Sequence, residues 1–271
     1  MFFRDDDAIS PTAHYTAEVW QRNGLSDPAL ATWEGRALHL GLWPAMTIWG
    51  ALGGRTLDEA LLARHRLIDE LLETEIEAGR VGQVVEIAAG LSGRGLRFER
   101  RHPSLTYVEA DLPEMADRKR EALAGAGAAH RVAELDAFAA GGAGSLDELL
   151  TSLDQDTGTA IITEGLLNYF PRAMVEDLWS RIAAGLSRFE HGIYLADLNL
   201  RSANTGAAEA AFGIGLSLFV RGRVHFPAGD PEEAAAMLEA AGFGTATVHD
   251  GTEAPEAGRG ADRVSVLEAR P

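Results

Sequence analysis

The stretch Val84-Val85-Glu86-Ile87-Ala88-Ala89-Gly90-Leu91-Ser92-Gly93-Arg94-Gly95 constrains this chain more than any other. A short apolar run holding an acid enters a turn with glycines at 90, 93 and 95. A helical run follows over Leu96 to Arg101, then a second apolar run, Leu105 to Ala110, that ends at Asp111. Strand, glycine turn, helix and a second strand ending in an acid is the layout with which open α/β folds hold a nucleoside.

The alternation continues downstream. Strands are expected at 83–88, 105–110, 131–135, 159–163, 192–197, 244–249 and 263–268, and helices at 113–124, 145–153, 171–188 and 230–241. Such a pattern predicts an α/β, doubly wound, mostly parallel seven-stranded sheet covered by helices on both faces. The last two strands are joined by a polar loop, 250–262, rather than a helix, so they are expected as an antiparallel pair at one sheet edge. Before the first strand lies a helical region rich in aromatics (Tyr15, Trp20, Trp33, Trp43, Trp49), broken at Gly53-Gly54. The expected division is an N-terminal helical cap over 1–80 and a core over 81–271, with an apolar insert at about 200–226.

Charge and composition exclude several functions. A net charge of −17 and a pI near 4.8 disfavour nucleic-acid substrates and anionic membrane surfaces. No cysteine is present, which removes disulfides, thiol catalysis and Cys-ligated metals. The eight histidines show no paired helical spacing, so no metal is expected. There is no Gly-x-Ser-x-Gly elbow for a hydrolase. The start, Met1 to Asp7, does not read as a signal peptide, and the longest apolar run, near Phe212 to Val220, is too short to span a bilayer. A cytoplasmic protein is expected, with a homodimer left open.

The glycine spacing departs from the Gly-x-Gly-x-x-Gly of dinucleotide folds, and Glu86 would repel a pyrophosphate. That disfavours an NAD oxidoreductase. A cationic nucleoside, S-adenosylmethionine, suits an acid before a glycine turn. Asp111 is placed to accept from ribose hydroxyls, or to cap the helix that begins at Pro113; the two roles are compatible. Asp136, at the end of the third strand, is a candidate for the adenine amino group with Phe138 beside the ring, against a plain capping role. Glu164 follows the apolar run Thr159 to Thr163 at a strand mouth, where an ammonium would meet it.

Three runs carry a family likeness: Glu86 to Leu91 with Arg94; Tyr107-Val108-Glu109-Ala110-Asp111-Leu112-Pro113 with Lys119; and Thr163-Glu164-Gly165-Leu166-Leu167-Asn168-Tyr169. Together with Ala63 to Asp69, they resemble the leucine carboxyl methyltransferase family, class I S-adenosylmethionine-dependent methyltransferases. Ser10 to Thr16, continuing through Trp20 to Ser26, resembles the bacterial branch that includes the tetracenomycin carboxyl O-methyltransferase of aromatic polyketide synthesis. The resemblance implies that Arg64 pairs with the methionine carboxylate. It also implies that the turn Glu86 to Gly90, Ala88 included, lines methionine and ribose. Asp111, with Leu112 beside it, would hold the ribose, Asp136 and Ala137 would meet adenine, and Glu164 would hold the amino-acid end. Two residues depart from the family pattern: Ala88 stands where Gly is usual and Ser92 where Asp is usual. A methyl at 88 would crowd the cofactor if φ is negative there.

A carboxylate acceptor is ionised at neutral pH and needs no base, whereas a phenol gains from one. His14 and Tyr15 are candidates to overhang the site, against a helix-packing role. Tyr169 and Asn199 are candidates to hold the acceptor. Arg221 and Arg223 are candidates for an acceptor carboxylate, against surface arginines over a packed insert. The expectation is methyl transfer to a carboxylate of a small aromatic or polyketide-like metabolite. A hydroxyl acceptor and a catalytically silent cofactor-binding protein are the alternatives.

Overall fold

The computed structural model describes residues 11–51, 56–125, 131–204 and 224–271. The insert is therefore covered only at its ends, and Arg221 and Arg223 lie outside the described residues.

Three helices come first: α1 (Pro11–Arg22), α2 (Trp33–Ala51) and α3 (Leu57–Glu77). A capping box starts α3: the Thr56 hydroxyl accepts from Glu59 N while the Glu59 carboxylate accepts from Thr56 N. The strands are β1 (Gln83–Ile87), β2 (Thr106–Asp111), β3 (Arg131–Glu134), β4 (Thr159–Thr163), β5 (Gly192–Leu198), β6 (Thr245–Asp250) and β7 (Ser265–Arg270). Between them lie α4 (Arg94–Arg101), α5 (Pro113–Gly125), α6 (Leu146–Thr151), α7 (Arg172–Leu186) and α8 (Pro231–Ala240).

The seven strands form one sheet in the order β3-β2-β1-β4-β5-β7-β6. β7 runs antiparallel to both β5 and β6, and the other described pairings are parallel. Strand order reverses between β1 and β4, which opens a crevice at their carboxyl ends. β1 and β4 are buried along their whole length, as central strands covered on both faces must be.

The period of two sorts the side chains. Val85, Ile87 and Ile161 face α6, α7 and α8. Val84, Tyr107, Ala160 and Ile162 face a second apolar cluster with Ala60, Ala63, Leu67, Ile68 and Leu72 of α3 and Phe98 of α4. The N-terminal region expected as a cap thus includes a helix, α3, that supplies core to one sheet face. Glu86 shares the parity of Val84, so it too is directed at the α3/α4 layer.

Candidate active site

Glu86 ends up inside the protein, 1% exposed, and both its oxygens are engaged. Arg94 Nη1 donates to Oε1 at 2.5 Å, and the Tyr107 hydroxyl donates to Oε2 at 2.8 Å. The expectation that its charge alone turns away a pyrophosphate is therefore corrected, because Arg94 neutralises it. Burial, with Glu86 alongside, pushes the Tyr107 phenol well above its usual range.

Arg94 is wholly buried and has no spare reach. Its Nε donates to Asp69 at 2.6 Å and its Nη2 to Glu164 at 2.5 Å. Burial opposes its charge, but Glu86, Glu164 and Asp69 outweigh that and raise its pKa well above the ordinary value. Arg97, one turn on, donates to the other Asp69 oxygen at 2.7 Å and to Leu25 O at 2.9 Å.

Glu164, just past β4, meets three partners. Arg64 Nε lies 3.0 Å from Oε1, while His65 Nδ1 and Arg94 Nη2 lie 2.8 and 2.5 Å from Oε2. Burial opposes ionisation, yet His65, Arg94 and Arg64 together hold this carboxyl far below the usual range. Arg64 Nη1 also donates to Asp197 at 3.0 Å, and Asp197 accepts from Gly165 N at 2.6 Å. Burial raises the Asp197 carboxyl despite Arg64. Gly165 has φ +69, where an L side chain is strained, and a Cβ there would sit 3.0 Å from Arg64 Nη2, so a larger residue would also displace the guanidinium.

On the other side of β1, Asp111 ends β2. Its Oδ2 accepts from Gly90 N at 2.7 Å and its Oδ1 from Leu112 N at 2.8 Å. Burial raises its pKa, and the Gly90 and Leu112 amides oppose that rise. Each oxygen retains acceptor capacity. Leu112 is 42% exposed beside it, an uncovered apolar surface at the sheet mouth. Asp136 is exposed and accepts from Phe138 N at 2.9 Å. Phe138 packs on Phe170, with ring centroids 4.4 Å apart, and Ala137 packs against the core.

Ala88 has φ +55, in the left-handed region, and Gly90 has φ +49. The crowding expected at 88 presupposed a negative φ; instead Ala88 packs against the core, and its cost is backbone strain. The Ser92 hydroxyl accepts from Arg94 N at 3.2 Å at the start of α4.

The acceptor candidates divide. His14 is buried, with Nδ1 2.9 Å from the Thr32 hydroxyl, and desolvation lowers its pKa. The Tyr15 hydroxyl donates to Asp58 at 2.5 Å, and burial and that bond raise its pKa. Both are engaged among the N-terminal helices. Tyr169 is half-buried against the core. Asn199 is held through its backbone: its N donates to the Asn168 side chain at 2.9 Å, and its O accepts from it at 3.1 Å.

His65, Asp69 and Arg97 were not singled out from the sequence. A signal was present in the spacing: His65 and Asp69 lie four apart within a mainly apolar stripe of α3, and Arg94 and Arg97 three apart on α4. Lys119 and Glu109 form a second buried ion pair at 2.6 Å, between α5 and β2. Among the described residues no cluster of three or more His, Asp or Glu could hold a metal ion, and no helix is long and apolar enough to cross a membrane.

The model of one family, leucine carboxyl methyltransferase, matches residues 44–183, more than half of the chain. The chain belongs to the leucine carboxyl methyltransferase family. A Mycobacterium tuberculosis protein named "Putative S-adenosyl-L-methionine-dependent methyltransferase" is 32% identical over 216 residues, which cover 73% of this chain and 64% of its own length. A Mycolicibacterium paratuberculosis protein of the same name is 38% identical over 141 residues, 49% of this chain and 43% of its own. The matches thus cover less than two thirds of these relatives. Among solved structures, one described as a "putative methyltransferase" from Thermobifida fusca superposes with a TM-score of 0.63 at 12% identity, covering 98% of this chain and 96% of its own. Another, a "putative O-methyltransferase" from Nostoc punctiforme, gives 0.52 at 16% identity, covering 94% and 72%. These likenesses show that this family member has the fold of class I methyltransferases.

Proposed function

We propose that this chain transfers a methyl group from S-adenosylmethionine to an oxygen of a small aromatic or polyketide-like metabolite, with a carboxylate as the acceptor. The observation that carries the reading is the placement of charge around the end of β1. Asp111 stands on the β2 side with acceptor capacity to spare, and the Arg64–Glu164 pair stands on the β4 side. A ligand bridging them needs a diol at one end and an amino acid at the other.

The residues fit that ligand. Asp111 would accept from the ribose, the exposed Leu112 face would lie against the adenine, Glu164 would take the ammonium and Arg64 the carboxylate. The buried network sets three arginines (64, 94, 97) against four carboxylates (Asp69, Glu86, Glu164, Asp197). One acid is in excess, and a buried excess of negative charge favours a cation over a pyrophosphate. The names of the mycobacterial relatives support the same cofactor, and one structure of similar fold, at a TM-score of 0.50, is described as holding S-adenosylhomocysteine.

Bound there, the cofactor supplies an electrophilic methyl on a sulfonium. The chain's task is alignment and exclusion of water. A carboxylate acceptor is supported by the engagement of His14 with Thr32, because an acceptor ionised at neutral pH needs no base. Tyr169 and Asn199, near β4 and β5, are proposed to orient it.

Calorimetric titration with S-adenosylmethionine, S-adenosylhomocysteine and NADH tests the cofactor. Tight NADH binding without response to the other two would sink the reading. Incubation with panels of aromatic acids and phenols, read by mass spectrometry, tests the acceptor. Methyl esters are expected; methyl ethers would move the acceptor to a hydroxyl. Tight cofactor binding with neither product would leave a silent binding protein.

A further inference from the structure

His65, the imidazole partner of Glu164, sits wholly buried at the centre of the network and touches no proposed ligand atom. Its ring lies 4.5 Å, centroid to centroid, from that of Trp20 in α1. Four charged groups face it: Glu164 Oε2 at 2.8 Å and Arg94 Nη2 at 2.8 Å, both from Nδ1; Arg97 Nη2 at 2.8 Å from Nε2; and Asp69 Oδ2 at 3.9 Å from Nε2.

Those contacts decide where the proton sits. An arginine amino group can only donate, so Nε2 must accept from Arg97. A carboxylate can only accept, so Nδ1 must donate to Glu164. The neutral ring protonated on Nδ1 satisfies both and leaves one poor contact, with Arg94 Nη2, which directs one of its two hydrogens to Glu164. The other tautomer satisfies Arg94 alone and sets a lone pair against Glu164. The imidazolium would point a second donor at Arg97.

We propose that His65 is a positioning residue whose neutral, Nδ1-protonated ring fixes the Glu164 carboxylate in the orientation that receives the cofactor's amino-acid end. Arg64 and Arg94 donate to Glu164 from two sides, and the ring, held by its contact with Trp20 and by the Arg97 donor at Nε2, sets the direction of the third bond. The inference rests on the cofactor reading above.

The test pairs two variants with a spectrum. His65→Leu and His65→Asn both lose the ring packed against Trp20 and the acceptor for Arg97. Only asparagine keeps an N–H donor at the Nδ1 position. S-adenosylhomocysteine affinity is expected to fall roughly tenfold or more in His65→Leu and to stay within about threefold of wild type in His65→Asn. Melting temperatures should drop alike, so a purely structural role would not separate the two. Equal losses of affinity, or none in His65→Leu, would overturn the proposal. Nitrogen-15 spectra of the wild-type ring should show a protonated Nδ1 and a bare Nε2; the opposite tautomer or an imidazolium would also overturn it. That measurement needs neither variant nor ligand. A wild type that ignores S-adenosylhomocysteine would instead remove the cofactor reading, with the tautomer still decided by the spectrum.

Discussion

Arg64 and Glu164, 100 positions apart in the chain, meet at 3.0 Å between Nε and Oε1. The contact ties α3 to the mouth of β4 at the crevice where strand order reverses. Arg64→Met leaves Glu164 and Asp197 without that donor. Affinity for S-adenosylhomocysteine should fall by about 1.5–3 kcal/mol, the range for hydrogen bonds to charged groups. Titration calorimetry reads it, and an unchanged affinity would take Arg64 out of the site.

Asp111→Ala removes the acceptor for Gly90 N as well as the proposed ribose contact. A loss of cofactor affinity of about 1.5–3 kcal/mol is expected. Asp111→Asn, which keeps an acceptor for Gly90, should lose less. Equal affinities in all three proteins would place the nucleoside elsewhere.

Arg94 is the fork on which the network turns. Arg94→Met leaves Glu86 in the interior with only the Tyr107 hydroxyl as partner, and unpaired buried charge is costly. Stability should drop by about 3–5 kcal/mol in urea titrations. A drop below about 1 kcal/mol would mean that the carboxylates protonate or rearrange without penalty.

Ala88, at φ +55, offers a gain instead. An L-residue in the left-handed region costs about 1–2 kcal/mol, part of which glycine returns as unfolded-chain entropy. Ala88→Gly should therefore stabilise the fold by roughly 0.5–1 kcal/mol. A lower melting temperature would show that the packed methyl outweighs the strain.

Glu75 gives a pH signature. The Arg80 guanidinium donates to it at 2.6 and 2.8 Å and Arg270 at 3.0 Å, which holds its carboxyl at about 2 against an ordinary 4.5. A depressed carboxyl contributes stability that is complete above pH 4.5 and is lost as pH falls through 2. The stability gap between wild type and Glu75→Gln should be about 1 kcal/mol at neutral pH, since Arg80 is open to solvent, and should close near pH 2. A gap independent of pH would assign the effect to packing.

The strand at 159–163, the α/β class and the acid at the end of β2 were all legible in the sequence, because each is a local signal. An apolar run of the right length, a glycine where φ turns positive and an acid before a proline are read within a few residues. The fate of Glu86 was not. Its parity along β1 directs it at α3 and α4, and only the packing of those helices brings Arg94 within 2.5 Å. Ala88 illustrates the same limit at the backbone, since no neighbour in sequence announces a positive φ at alanine. Residue type and periodicity by themselves determined the α/β class, the sheet and the candidate nucleoside crevice, while the family rested on the resemblance of three sequence runs. Which charges meet was decided by the tertiary structure. A low-dielectric interior makes every buried charge find a partner, and here those partners arrive from α3, β1, α4 and the end of β4, elements that chain spacing cannot align.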